Sequence, residues 1–196
     1  MTKKVAVLLS EGFEEAEAVI VIDVLRRLKI DVELLSCQDR LELRSYNKMR
    51  MFADALLERR MDVMYDAVVI PGGPQATANM ADNSMAVEFI RRHDEAAKLI
   101  CPLCSAAARV LAVNRLLQGR RYVCSGELHR SVADGTYVAE RVVEDGNLIS
   151  GKGPGAAFDF AFTVAYRLTG DYAATQEQAE HIYHENWQVP QQAVPA

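Results

Sequence analysis

Cationic excess, long apolar runs and a disulfide framework are all missing from these 196 residues, and each absence removes a class of function. Acidic side chains outnumber Lys and Arg by 27 to 22, for a net charge of −5, so neither nucleic acid nor an anionic membrane is an expected partner. No apolar stretch reaches the length a bilayer requires. Val5–Leu9, behind Lys3-Lys4, is too short for the core of a signal peptide. Only four cysteines occur, Cys37, Cys101, Cys104 and Cys124. Without a secretion signal they are expected as reduced cytoplasmic thiols, and no regular spacing joins them into a metal site. Repeats and low-complexity tracts are absent as well. What is present is ordinary: half the residues are hydrophobic and a quarter charged, enough for one domain with a real core. That domain is expected over 1–187, with 188–196 as a flexible tail.

Along the chain, strand and helix patterns alternate. Val5–Leu9 is a continuous apolar run, as in a strand buried on both faces. A helix follows from about Glu14 to Leu28, with Ala16, Ile20, Val24 and Leu28 at helical spacing. Asp31–Ser36 reads as a second strand and Leu41–Asp54 as hairpin or irregular strands, whose Met49–Phe52 suits a core or an interface. Val68–Ile70 is a strand stopped by Pro71-Gly72-Gly73. Met85–Lys98 is helical, and the charged run around His93 puts that histidine at the surface. Leu99-Ile100 leads into Cys104 and a second alanine-rich helix. Tyr122–Cys124, Tyr137–Val143 and Asn147–Ser150 are strand candidates, and Ala156–Leu168 and Tyr172–Tyr183 are helices. Such alternation predicts a parallel α/β sandwich with its sites beyond the carboxyl ends of the strands.

Three turns lie at such ends. Cys104 sits where a strand bends into a helix, and there the free N–H groups and the positive end of the helix dipole favour thiolate and can face an oxyanion. On this stretch alone, a buried cysteine opening a core helix fits the same residues. Gly72 and Gly73 let a backbone N–H approach an anion closely. Glu14 and Glu15 are expected as a cap and a solvated face, whereas Glu17 is placed to point inward. A carboxyl buried beside a thiol has a raised pKa and can exchange a proton with the sulfur. Cys101, three residues before Cys104, is either a small buried strand residue or a resolving partner for an oxidised Cys104.

Taken together, Gly12-Phe13-Glu14-Glu15-Ala16-Glu17, Asp23-Val24-Leu25-Arg26, Val69-Ile70-Pro71-Gly72-Gly73, the Cys104 elbow, and Gly153-Pro154-Gly155 with Phe158 resemble the ThiJ/PfpI (DJ-one) superfamily. That superfamily belongs to the class I glutamine amidotransferase-like folds. The resemblance runs from about residue 4 to about residue 170. It implies a flavodoxin-like three-layer α/β sandwich, with a mainly parallel sheet, that forms a homodimer. It also implies Cys104 as the reactive cysteine, Glu17 as its protonated partner, and an oxyanion pocket made by the N–H groups of Gly73 and Ser105.

Departures from the pattern are specific. Where many members carry a histidine near the cysteine, this chain has Ser125 or Gly126, and His129 is the nearest candidate. An arginine of the dimeric branch falls at Asn47 or Lys48. His181 and His184-Glu185 do not form the His-x-Glu of amidotransferases. The resemblance therefore implies a cofactor-independent, cysteine-dependent enzyme acting on small reactive carbonyls or their adducts, of glyoxalase, deglycase or hydrolase type. The alternative is a non-catalytic stress-response dimer that senses oxidants, or acts as a chaperone, through oxidation of Cys104. A dithiol reductase using Cys101 is a third option.

Overall fold

Valine-rich runs flanked by helices leave no strand face for water, and the chain folds accordingly. A computed structural model describes residues 2–190. Six strands of the central sheet run parallel in the order β11, β7, β6, β1, β2, β5: Leu148–Gly151, Leu99–Pro102, Ala67–Ile70, Lys4–Leu9, Asp31–Ser36 and Ala55–Leu56. The seventh, β10 (Val142–Asp145), closes one edge antiparallel to β11. Two small sheets lie apart: an antiparallel arm of β3 (Glu42–Arg44) and β4 (Arg50–Phe52), and a short parallel pair of β8 (Arg121–Tyr122) and β9 (Thr136–Tyr137). The expected strand over Tyr122–Cys124 is thus only the two residues Arg121–Tyr122, outside the main sheet.

Because side chains alternate along a strand, each central strand feeds two cores. Val5, Val7, Leu9, Val69, Cys101 and Leu103 pack under helices α1 (Glu15–Arg27) and α4 (Ala157–Thr169). Ala6, Leu8, Val68, Ile70 and Ile100 pack on the other face, under α3 (Ser84–Glu95) and the segment that follows Cys104. That is a three-layer α/β sandwich. A further helix, α2 (Pro74–Ala81), has no counterpart in the sequence-based expectation; it starts with Pro74 in the first turn, directly after Gly73. The last helix, α5 (Tyr172–His181), stops two residues short of its expected end. Of the expected tail, residues 191–196 lie outside the described residues, while Val189 packs against the core.

Two expectations are corrected. The buried face of α1 is centred on Glu17, Ala18, Val21, Ile22, Val24 and Leu25 rather than on the expected stripe, of which Val24 is buried while Ile20 and Leu28 pack at the margin of the core; this places a carboxyl in line with an apolar face. His93 is not at the surface but fully buried. It lies four residues after Phe89 and three after Ile90, on the inner face of α3, and both ring nitrogens have partners there: Phe89 O at 2.7 Å from Nδ1, and the Tyr65 N–H, which donates to Nε2 at 3.0 Å. An imidazole satisfied on both sides is tolerated in a core. Among the described residues no helix is long and apolar enough to cross a membrane.

Candidate active site

Neighbouring β7, β6 and β1 end side by side, and here the chain leaves β1 for α1 on one face of the sheet and β6 for α3 on the other. This is the crevice where open α/β sheets place their ligands. The three turns flagged in the sequence therefore meet. Glu14 N–H donates to Gly72 O at 3.0 Å, Leu103 N–H to Ile70 O at 3.0 Å, and Cys104 N–H to Gly151 O at 2.9 Å. Cys104 O in turn accepts from Ser125 N–H at 3.1 Å. Held from both sides, Cys104 adopts a left-handed backbone with φ of +60°. That conformation is strained for any residue with a Cβ, and it turns the thiol out of the strand. Beyond it the chain winds into a π-helix over Ala107–Ala112, a geometry that recurs at functional sites.

Glu14 caps α1, its Oε2 accepting from Glu17 N–H at 2.7 Å, while Glu15 Oε2 accepts from Asn47 N–H at 3.2 Å. Glu17, fully buried, points the other way. Its Oε2 accepts from Gly72 N–H at 2.7 Å, and its Oε1 is buried with no nitrogen or oxygen partner. The carboxyl and the Cys104 thiol meet beside Gly72, close enough for each to shift the other's titration. Gly72 makes this approach feasible: a Cβ there would stand 2.7 Å from Cys104 Cβ and 2.9 Å from Glu17 Oε2. At Gly73, φ is +103° and a Cβ would collide with Gly12 O, so glycine is required twice over.

Burial pushes the Glu17 carboxyl from 4.5 to about 7, helped by the charge of Glu14 and opposed by the hydrogen bonds from Gly72 N–H and Cys104. Burial and the Glu17 charge push the Cys104 thiol up to about 11, against hydrogen bonds from the Ser125 side chain and Ser105 N–H. The expected free thiolate is therefore corrected. Desolvation and a neighbouring carboxylate outweigh the helix-end field. Between about pH 7 and about pH 11 the pair carries a single proton. The arrangement can pass that proton from sulfur to carboxylate as a bond forms at sulfur.

Ser125 occupies the place where a histidine was sought. His129 lies on a turn of 3₁₀ helix, Leu128–Ser131, with its ring stacked on Tyr137 at 3.8 Å and its backbone N–H on the Cys124 sulfur. His184 pairs with Asp159 at 2.7 Å, next to α4. Cys101 is fully buried among side chains of the α1–α4 layer, and its thiol pKa is raised strongly by burial. Extended backbone at roughly 3.3 Å per residue sets its Cα about 10 Å from that of Cys104, beyond the span of a disulfide. Among the described residues no three His, Cys, Asp or Glu side chains gather to hold a metal. Thr77, whose hydroxyl lies 3.2 Å from that of Ser105, carries no signal in the sequence.

Comparison with known proteins agrees with the fold. The DJ-1/PfpI family model matches residues 3–167. A DJ-1 superfamily protein of Salmonella typhimurium, crystallised as a cysteine-to-alanine variant, superposes with a TM-score of 0.92 at 59% identity, over 93% of this chain and 98% of that one. Protein DJ-1 homolog B of Arabidopsis thaliana is 31% identical over 86% of this chain, which spans only 39% of that longer relative. The "Glutathione-independent glyoxalase DJR-1.2" of Caenorhabditis elegans is 27% identical over 82% of this chain and 85% of its own length. With its cysteine elbow, its buried glutamate and a family match over most of its length, the chain belongs to the DJ-1/PfpI family.

Proposed function

We propose that the chain is a cofactor-independent enzyme in which Cys104 adds to small reactive carbonyls, with methylglyoxal as the model substrate. One observation carries this: a fully buried carboxyl, its pKa pushed up to about 7, meets the one cysteine that keeps partial exposure beside a glycine with no room for a side chain. As the sulfur attacks the aldehyde carbon, its proton passes to Glu17 and the carbonyl electron pair moves onto oxygen. The N–H groups of Gly73 and Ser105 receive that oxygen, and Glu17 returns the proton to give a hemithioacetal. A redox-neutral isomerisation then moves hydrogen from the aldehyde carbon to the neighbouring ketone carbon. Water cleaves the resulting thioester to lactate and free thiol. The Caenorhabditis relative, named a glutathione-independent glyoxalase, supports the same class of substrate.

The test is lactate production from methylglyoxal with no added cofactor, for wild type beside Cys104→Ala and Glu17→Ala. Turnover that both substitutions abolish supports the assignment; a wild-type rate no faster than buffer overturns it. Because the base must be ionised, kcat/KM should rise with pH through about 7. We also propose that two copies associate through the β3–β4 arm, where Tyr46, Met49 and Phe52 stay exposed beside the start of α1. Sedimentation of Phe52→Glu as a monomer, against a wild-type dimer, is the expected outcome.

A further inference from the structure

Two N–H groups can hold a charged oxygen only if their spacing is fixed, and here they belong to different loops. Gly73 opens α2, and Ser105 opens the turn into the π-helix. Three bonds tie these segments together. Asn114 Nδ2 donates to Ala81 O at 3.2 Å, and Arg109 Nη1 to Pro74 O at 3.3 Å. At the end nearest the thiol, Thr77 Oγ1 and Ser105 Oγ lie 3.2 Å apart, with Thr77 completely buried and Ser105 nearly so.

The direction of that last bond follows from counting protons. Thr77 Oγ1 donates to Gly73 O at 2.9 Å, and a hydroxyl has one hydrogen to give. Ser105 must therefore donate to Thr77. The chain runs Ser105 O–H to Thr77 O–H to Gly73 O, and it begins and ends on the two residues whose N–H groups the proposed function assigns to the substrate oxygen. In a buried site each bond of such a chain strengthens the next.

Resting on the carbonyl-addition function above, we propose that Thr77 is a positioning residue: its hydroxyl, relayed through Ser105, sets the spacing of the Gly73 and Ser105 N–H donors. Thr77→Val keeps the volume and removes the relay. Displacing the donors by a fraction of an ångström weakens them only when the oxygen carries charge. The expected result with methylglyoxal is a kcat about 10-fold or more below wild type with little change in KM, recovered by Thr77→Ser. The rise of kcat/KM through about pH 7 stays, because Glu17 is untouched. Alkylation of Cys104 by iodoacetamide creates no oxyanion and should proceed at the wild-type rate in Thr77→Val, which also shows that the elbow is folded.

Two further outcomes separate this inference from the function it rests on. If wild type turns over methylglyoxal and Thr77→Val matches it, or loses activity through KM alone, the positioning role is refuted and the enzyme stands. If wild type gives no lactate, protection of Cys104 from iodoacetamide by methylglyoxal reports hemithioacetal formation directly. Protection that weakens in Thr77→Val and returns in Thr77→Ser upholds the positioning role without turnover. Equal protection, or none in any variant, overturns it.

Discussion

Replacing Glu17 by glutamine should make the protein more stable and inactive, with the gain building between pH 4.5 and about 7 and staying constant above that. An ionisable carboxyl buried in an apolar helix face favours its protonated form, here to about 7 from the ordinary 4.5. Below 4.5 the folded and unfolded chains both hold the proton and Glu17 makes no pH-dependent difference. Between 4.5 and about 7 the unfolded chain has released it while the folded chain retains it, so stability falls as pH rises through this window. At about 1.4 kcal/mol per unit, that window of about 2.5 units amounts to about 3.5 kcal/mol, of which about 3 lies above pH 4.5, where the unfolded carboxyl is already half ionised. Glutamine keeps the acceptor for Gly72 N–H and carries no ionisable group, so it removes this loss.

Urea unfolding of wild type and Glu17→Gln at pH 4.5, 6 and 8, at one protein concentration, is the assay. The stability difference in favour of glutamine should grow by about 3 kcal/mol from the lowest pH to the highest, while lactate production vanishes. A difference that stays flat across that range would refute the raised pKa and, with it, the role of Glu17 as base at neutral pH. A difference of the opposite slope would mean that the Gly72 hydrogen bond dominates the burial.

Three other perturbations follow from particular contacts. Gly72→Ala meets no left-handed φ but sets a methyl 2.7 Å from Cys104 Cβ; turnover should fall at least about 100-fold, with a loss of roughly 1–3 kcal/mol, read by kinetics and urea unfolding. Burial lowers the His93 pKa, with Arg92 and Lys98 adding to the effect, so its contribution is complete above about 6.5 and is lost as pH falls below that value. In the Glu17→Gln background, where the opposing trend is gone, urea unfolding should show stability dropping from pH 7 towards pH 5, and a flat profile there would refute it. Arg120 holds Asp94 through two bonds of 2.9 Å and Asn147 at 2.7 Å. Arg120→Met strands a buried carboxylate and should cost roughly 3 kcal/mol in urea unfolding.

What the sequence makes legible is the part written in local pattern. Asp31–Ser36 and Val5–Leu9 are apolar enough to be read as strands. The punctuation at Gly12, Gly72-Gly73 and Cys104 marks the strand ends because only certain residues tolerate those turns. Glu17 was legible too, as the carboxyl three residues past the Glu14 cap and just before the apolar face of α1 continues. Helix α2 was not, since eight residues of mixed polarity carry little periodicity. His93 was hidden by its neighbours: Arg91, Arg92, Asp94 and Glu95 read as a charged surface, yet the fold buries every side that matters to the ring. The Thr77–Ser105 pair joins residues 28 positions apart, a contact made by packing alone.

The places where local rules fail also locate the site. Of the seven non-glycine residues with positive φ among the described residues, Lys29, Ala97 and Tyr183 follow helices α1, α3 and α5, and Lys48, Arg115 and Gln118 lie in exposed turns or just past the π-helix. Such positions commonly hold a left-handed residue as a stop. Cys104 alone emerges from the central sheet in that conformation. Within the same few ångströms lie the helix-face carboxyl without a counter-ion, the glycine that cannot bear a Cβ beside it, and the π-helix in place of an α-helix. Each departure opposes stability, and nothing in the packing of the two cores calls for any of them. Their coincidence around one sulfur is what a site held against the preferences of its own sequence should look like.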